Sequence, residues 1–202
     1  MLGITDFWAF VVAVAVFLAL PGPGTFALLT STGKGGFRAG AAATFGVIVG
    51  DQVLLWLAAL GVAAVLQGHP ILFKSLQYAG AAYLVFIGVR LIFSRGASAQ
   101  PIPIRAGQYF RQALLITLLN PKAIVFYMAF FPLFIDPATQ QGAVTFAAMA
   151  ITIAVLTLAY CLTLVGFAHA LTAQVKAHRR VARALERMAG VVLVAFGIRL
   201  VQ

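Results

Sequence analysis

Residues 19–26 read ALPGPGTF, and they place two prolines and two glycines inside an otherwise apolar stretch. Proline cannot donate a backbone hydrogen bond, and glycine loosens the backbone around it, so this stretch predicts a break in a helix. A second half-helix is expected to begin at Pro23 or Gly24. Its first N–H groups would be unpaired and would carry the positive end of the helix dipole, which favours an anion.

The composition identifies the setting of this break. The chain has 202 residues, of which 63% are hydrophobic and 9% charged, and its mean hydropathy is +1.04. These values lie outside the range of soluble proteins and are typical of an integral membrane protein. A membrane-spanning helix needs about 20 mostly apolar residues. By that measure the chain is a single all-α transmembrane domain, 1–202, with six predicted spans at about 6–31, 41–66, 72–93, 112–135, 143–170 and 185–201.

The net charge is +10, and most of the basic residues fall on alternate connections between the predicted spans, with only Lys74 near the second connection and none in the fourth. By the positive-inside rule the first, third and fifth connections are cytoplasmic, so both termini are expected outside. Such basic loops attract anionic lipid headgroups, and this explains the charge better than nucleic-acid binding does. The basic residues are Lys34 and Arg38 in the first connection, Arg90, Arg95, Arg105 and Arg111 in the third, and Lys176, Arg179, Arg180, Arg183 and Arg187 in the fifth.

The two halves of the chain show signs of an internal repeat. The third span contains AGAAYLVFIGVRL (79–91) and the sixth contains AGVVLVAFGIRL (189–200), while Pro21 in the first span matches Pro121 in the fourth. Three spans per half give the halves opposite orientations in the membrane. The predicted architecture is therefore two inverted three-helix repeats, about 1–95 and 111–202, joined by a cytoplasmic linker at about 95–110. Inverted repeats with interrupted helices in matching positions are typical of secondary transporters.

The depth of the first break makes it a candidate substrate site. Pro21 lies 13 residues before Lys34, which is about 20 Å at helical rise and therefore near mid-membrane. Unpaired backbone groups are unfavourable against lipid, so the break must face protein or a water-filled cavity. A packing kink without a ligand is the alternative. The candidate binding residues are Pro21, Gly22, Pro23, Gly24 and Thr25.

The fourth span carries a second break in LLNPKAIVF (118–126). Asn120 suits an N-cap and Pro121 suits the first helical position, so a half-helix is expected to start here. Lys122 then places a positive charge in the first helical turn, where the dipole disfavours it and where neither membrane surface is near. Such a lysine needs an anion. It is either a carboxylate-binding residue or one half of a buried ion pair.

Asp51 is the only acidic residue that is predicted to lie deep in the membrane, 13 residues after Arg38. An intramembrane carboxyl group is a functional-site hypothesis by default, here a site that exchanges a proton during a transport cycle. A silent ion pair with Lys122 remains the alternative. Gln52 and Tyr127 are further candidates for the substrate site, and Trp56 could line the same cavity or serve only in helix packing.

Patterns typical of other functions are absent from the sequence. GKGG at 33–36 lacks the features of a phosphate-binding loop, and no spacing of Ser, His or Cys suggests an enzyme. One deep carboxyl group and a single cysteine make a poor metal site. The sequence therefore predicts no catalytic residue, no metal and no cofactor. The Gly36/Gly40 and Gly46/Gly50 pairs are explained by close helix packing at least as well as by homo-oligomerisation, which stays open.

Two long motifs resemble those of the lysine-exporter (LysE/RhtB) family of amino-acid effluxers. PGPGTFALLTSTGKGGFRAGAAATFGVIVGD (21–51) is similar to its N-terminal signature, and NPKAIVFYMAFFPLFID (120–136) to its second. PILF (70–73) and the FYMAFFPLFID run are most similar to the leucine-exporter branch. The resemblance implies export of leucine-like neutral amino acids in exchange for protons across a bacterial inner membrane. Gly24 departs from the Asn or Asp that often follows PGP in the family.

Together these features predict an inverted-repeat carrier that exports small amino acids by alternating access and proton influx. Asp51 is the expected proton site, and the two half-helix starts are expected to hold the substrate carboxylate. The substrate ammonium would then compete with the proton for Asp51. Export of another small metabolite or of a cation is the alternative within transport, and a membrane scaffold is the alternative outside it.

Overall fold

The structure is a computed structural model that describes residues 3–68, 103–135 and 142–171, together with the single residues 71, 74, 75, 78, 82, 85, 86, 89, 93, 191 and 194. The described chain is helical, without strands, apart from one antiparallel bridge between Ile4 and Ile135. This confirms the all-α prediction for these residues. The helices are α1 (Phe7–Ala19), α2 (Pro23–Gly68), α3 (Tyr109–Leu118), α4 (Pro121–Phe134) and α5 (Ala143–Leu171).

The first predicted break is present between α1 and α2. Asp6 caps the start of α1 by accepting a hydrogen bond from the backbone N–H of Ala9 at 3.0 Å. The helix ends at Ala19, and α2 begins at Pro23, so the expected start of the second half-helix is confirmed. The cause is local, because neither proline can donate to the preceding turn.

The long helix α2 bends sharply at Gly35 and Gly36, and its two arms fold back on each other. Gly36 has φ 68° and ψ −162°, a backbone region that is essentially restricted to glycine. Across the bend, Gly40 lies directly against the side chains of Thr32 and Val165. The bend therefore gives two antiparallel arms, and the second arm carries Asp51.

The second predicted break separates α3 from α4. Asn120 is the N-cap of α4, and its side-chain oxygen accepts a hydrogen bond from the backbone N–H of Lys122 at 3.1 Å. Pro121 is the first helical residue, where its missing N–H costs nothing. Both expectations for this stretch are confirmed.

Two described stretches are long and apolar enough to cross a membrane, Pro23–Gly61 and Ala143–Ala170, and Phe7–Ala19 is a shorter apolar helix. The spans predicted at 72–93 and 185–201 lie outside the described residues, apart from isolated positions. Those isolated positions, such as Ser75 and Val191, are helical, except for Phe93, which lies in a turn.

Aromatic side chains fill the space between α1 and α4. Phe17 stacks on Phe126 with ring centroids 3.6 Å apart, and Phe126 stacks on Phe130 at 4.3 Å. Phe10 packs against Phe130 and Phe134. Because aromatic rings bury large apolar areas, this ladder stabilises the packing of α1 against α4, the helices that flank the two breaks.

Small residues let α2 and α3 approach closely. A Cβ atom at Gly46 would overlap the backbone oxygen of Phe110, and one at Gly50 would lie 2.8 Å from the side chain of Thr117. These glycines therefore serve helix packing within the chain, which was one of the two interpretations of the GxxxG pattern.

The ends of the helices meet in two separate groups. At one end, the backbone N–H of Thr5 donates to the carbonyl of Phe134 at 3.1 Å. At the other, the Lys34 ammonium donates to the carbonyl of Ile104 at 2.8 Å, and Phe37 packs against His169. The bend of α2, the segment before α3 and the end of α5 thus lie on one side of the described helices.

Candidate functional site

A cavity lies where the two helix breaks face the second arm of α2 and the middle of α5. Its volume is about 60 Å³, which is room for a few water molecules and well below the roughly 300–1,000 Å³ of small-molecule pockets. Its polar lining comes from both breaks and from α2. The lining residues are Phe17, Leu18, Leu20, Gly22, Gly24, Thr25, Leu28, Val47, Asp51, Thr117, Asn120, Lys122, Ala123, Tyr160 and Cys161.

The first break is stabilised by a contact within its own turn. The backbone N–H of Gly22 donates to the Thr25 hydroxyl at 3.4 Å, and the carbonyl of Gly22 accepts the first helical hydrogen bond, from Phe26 at 3.1 Å. The start of α2 therefore points toward the cavity with the positive end of its dipole. Gly24 faces open space, because a Cβ atom there would have no atom within 4 Å.

Lys122 connects the second break to the first. Its ammonium donates to the carbonyl of Leu20 at 2.8 Å and to the carbonyl of Phe17 at 3.4 Å. It also lies 4.5 Å from the centre of the Phe17 ring, where a cation is favoured. The last carbonyls of a helix are unpaired and carry the negative end of its dipole. A cation that is unfavourable at the start of α4 is therefore favourable at the end of α1.

Asp51 lies in the same cavity and is buried, with 5% of its surface exposed. The Tyr127 hydroxyl faces the carboxyl group of Asp51 as a hydrogen-bond donor. Asp51 and Lys122 interact electrostatically across the cavity. Lys122, however, donates its hydrogen bonds to backbone carbonyls, and Asp51 is bound by Tyr127. No direct ion pair joins these two described residues. The interpretation of Lys122 as half of a closed ion pair therefore does not describe this structure.

The structure brings together six of the residues that the sequence singled out. Pro21, Pro23 and Pro121 shape the backbone at the two breaks but do not line the cavity. Gln52 points away and donates to the carbonyl of Ala150 on α5 at 3.0 Å. The six that line the cavity are Gly22, Gly24, Thr25, Asp51, Asn120 and Lys122.

Tyr127 contacts Asp51 from outside the cavity lining, and Trp56 is 39% exposed on the outer face of α2. Tyr127 therefore positions the carboxyl group rather than facing the cavity itself. Trp56 has the exposure of a residue on the outer surface of the helix bundle.

Several lining residues were missed by the sequence analysis. Val47 lies one helical turn before Asp51, so helical spacing from Asp51 would have found it. Thr117 lies near the end of α3, across the break from Asn120, so helical spacing from Asn120 does not reach it. Tyr160 and Cys161 come from the middle of α5, where no break or charge marks the position. Leu28 completes the apolar part of the wall.

The site has the chemistry of a reversible binding site for a small zwitterion. It offers one ammonium group, one carboxyl group and the positive ends of two helix dipoles, beside an apolar wall. Within the described residues, no three His, Cys, Asp or Glu side chains lie together as metal ligands would. A cavity of this kind can hold opposite charges in a fixed orientation without covalent chemistry.

Comparison with known proteins shows the family. Residues 15–202 match the family described as LysE type translocator. The chain belongs to this family. It is therefore a membrane translocator and not an enzyme, and the resemblance that the two motifs indicated is confirmed.

Characterised and uncharacterised relatives align over nearly the whole chain. An uncharacterized membrane protein of Pseudomonas aeruginosa is 37% identical over 209 residues, covering 98% of this chain and 96% of that protein. Proteins called leucine efflux protein in Salmonella choleraesuis and Klebsiella pneumoniae are each 32% identical, covering 98% of this chain and 95% of theirs. No solved structure matches this chain.

Proposed function

We propose that this protein is a secondary transporter that exports small neutral, leucine-like amino acids in exchange for protons. The observation that carries the proposal is the cavity in which two half-helix starts, Lys122 and Asp51 meet. Efflux of leucine by relatives that are 32% identical supports the substrate class. The proposal includes six spans in two inverted repeats in a bacterial inner membrane, with both termini outside.

The substrate carboxylate binds at the half-helix starts and Lys122. An ammonium group has three N–H donors, and Lys122 uses two of them on the carbonyls of α1. The third remains for a carboxylate. Lys122 can therefore hold the end of α1 and the substrate at the same time. The substrate would then sit between the two breaks, as in carriers built from interrupted helices.

The substrate ammonium and the proton compete for Asp51. Only one cation at a time neutralises the buried carboxyl group, so binding of one favours release of the other, and this competition couples the two fluxes. The cavity of about 60 Å³ is smaller than an amino-acid site requires. Alternating access therefore includes a widening of the cavity between the half-helices.

Export from inverted vesicles across a panel of amino acids, with and without a proton gradient, tests the proposal. Leucine-like substrates should be transported by the wild type in a gradient-dependent manner. Asp51→Asn keeps the shape of the side chain but cannot release a proton, so gradient-driven export should fall to background while the protein still folds. Transport of a different metabolite or of a cation would replace the substrate assignment. Absence of any ligand-dependent flux would favour a scaffold.

A melting curve of Asp51→Asn in detergent serves as the control for folding. A well-folded Asp51→Asn variant with normal gradient-dependent export would contradict the role of Asp51 as the proton site. A variant that melts far below the wild type would indicate that the carboxyl group mainly supports the structure.

A further inference from the structure

The hydroxyl group of Thr117 is buried, has no hydrogen-bond partner and belongs to a residue that lines the cavity. Only 3% of the Thr117 surface is exposed. A buried hydroxyl without a partner costs free energy, and most such groups in proteins are paired. Its position in the wall of a binding site suggests that the missing partner is the transported molecule.

Four other threonines of the described helices have paired hydroxyl groups, whereas Thr117 does not. A threonine inside a helix commonly satisfies its hydroxyl with the carbonyl four residues earlier. Thr32 does so at 2.8 Å, Thr44 at 3.0 Å, Thr152 at 2.8 Å and Thr163 at 2.7 Å. The Thr117 hydroxyl has no hydrogen-bond partner in the structure.

Packing fixes Thr117 against the arm of α2 that carries Asp51. The Cβ and Cγ2 atoms of Thr117 face Gly50, where an added Cβ would lie only 2.8 Å away. Gly50 directly precedes Asp51 on α2. Thr117 and Asp51 both line the cavity.

We propose that Thr117 and Asp51 together bind the amino group of the substrate, with the Thr117 hydroxyl as acceptor. This assignment rests on the proposed function and deepens it. An ammonium group needs up to three acceptors, and the carboxyl group of Asp51 with the hydroxyl of Thr117 supplies them from one side. Thr117 is thus a substrate-binding residue that selects for a primary amine beside the apolar wall.

The chain offers a matched control in Thr157. Its hydroxyl is also buried and without a partner, but Thr157 is absent from the cavity lining. Replacing either threonine with valine keeps the shape and removes only the hydroxyl. If unpaired hydroxyls were merely tolerated in this fold, Thr117→Val and Thr157→Val would behave alike.

Leucine export by proteoliposomes tests the assignment through the separation of KM from kcat. Thr117→Val should raise KM for leucine about 10-fold or more, the loss expected for a hydrogen bond to a charged group. Its melting temperature should equal or exceed that of the wild type, because no protein partner is lost. Thr117→Ser should restore KM to near the wild-type value, and Thr157→Val should leave it unchanged.

Inhibition by two fragments of leucine identifies the group that Thr117 binds. Isopentylamine lacks the carboxylate, and 4-methylpentanoate lacks the amino group. Thr117→Val should weaken inhibition by isopentylamine by the same factor by which it raises KM for leucine. It should not change inhibition by 4-methylpentanoate. The reverse result, or an unchanged KM for leucine in Thr117→Val, would overturn the assignment. Failure of the wild type to export any amino acid would instead overturn the proposed function.

Discussion

The two helix breaks solve the same problem in different ways. The break between α3 and α4 supplies its own cap, since Asn120 satisfies the N–H of Lys122 within two residues. At the break between α1 and α2 the carbonyl of Phe17 also accepts the N–H of Leu20 at 3.3 Å, but the carbonyl of Leu20 depends on Lys122, which reaches it across 102 residues of sequence. One break is self-sufficient, while the other depends on its counterpart. The two therefore act as one unit, with Lys122 as the connection.

The difference has a consequence for transport. If the half-helices move relative to each other, the contact between Lys122 and the carbonyl of Leu20 must lengthen or break. A substrate carboxylate that draws on the same ammonium would change the strength of this contact. Substrate binding at the second break therefore changes how firmly Lys122 holds the first break. A ligand drives a conformational change only through such a difference in contacts between two states.

Of the substitutions that test how the two breaks differ, Lys122→Met is expected to have the largest effect on stability. The variant leaves the carbonyl of Leu20 without its donor and the carbonyl of Phe17 with only the 3.3 Å bond from the N–H of Leu20, at a cost of about 2 kcal/mol or more for buried groups that lose a charged partner. Lys34→Met is the matched control, because exposed Lys34 also donates to one carbonyl at 2.8 Å, where water can replace it. Its effect should stay within about 0.5 kcal/mol.

Thermal melting in detergent measures both variants. Lys122→Met should melt clearly below the wild type and should lose export, whereas Lys34→Met should retain both. Equal melting temperatures for the two variants would mean that the first break does not depend on Lys122.

A smaller effect is expected from Asn120→Ala, which removes the cap of the second break. Loss of an N-cap side chain costs about 1 kcal/mol, and here the loss is confined to the first turn of α4. Asn120→Asp keeps an acceptor for the N–H of Lys122 and should melt near the wild type. Thr25→Val should change stability by less than Asn120→Ala, because the contact of Thr25 with Gly22 is long, at 3.4 Å. A larger loss in Thr25→Val than in Asn120→Ala would reverse the comparison.

The positions of the breaks were predictable because their causes are local. Proline removes a donor, and asparagine caps a helix, whatever the rest of the fold does. The correspondence between the breaks was less predictable. Pro23 and Pro121 are each the first residue of a helix, whereas the sequence comparison of the two halves matched Pro21 to Pro121.

The partner of Lys122 was not predictable, because it depends on which distant backbone groups remain unpaired. Sequence reasoning recognised that a cation at the start of α4 needs a negative partner and considered only ionised groups. The actual partners are the carbonyls at the end of α1, whose charge arises from the fold. Thr117 was missed for a related reason. A threonine in an apolar helix carries no signal until its neighbours show that its hydroxyl is unpaired.

The smallest effect on stability is expected from alanine at the two glycines of the first break. At Gly24 a methyl group would enter open space, and at Gly22 it would contact the Cδ and Nζ atoms of Lys122 at an ordinary distance of 3.5 Å. The free energy of unfolding of the Gly22→Ala/Gly24→Ala variant should therefore lie within about 1 kcal/mol of the wild-type value. The higher helix propensity of alanine offsets part of any loss.

Export should nevertheless fall in this variant, because both glycines line the cavity and alanine stiffens the backbone that the proposed cycle must move. Gly61→Ala is a suitable control, since its added methyl group would also meet nothing within 4 Å and Gly61 does not line the cavity. Reduced export at unchanged stability, with a normal Gly61→Ala control, would identify the first break as a moving part of the carrier. Wild-type export by the double variant would instead indicate that the first break is a kink that serves only the packing of α1 and α2.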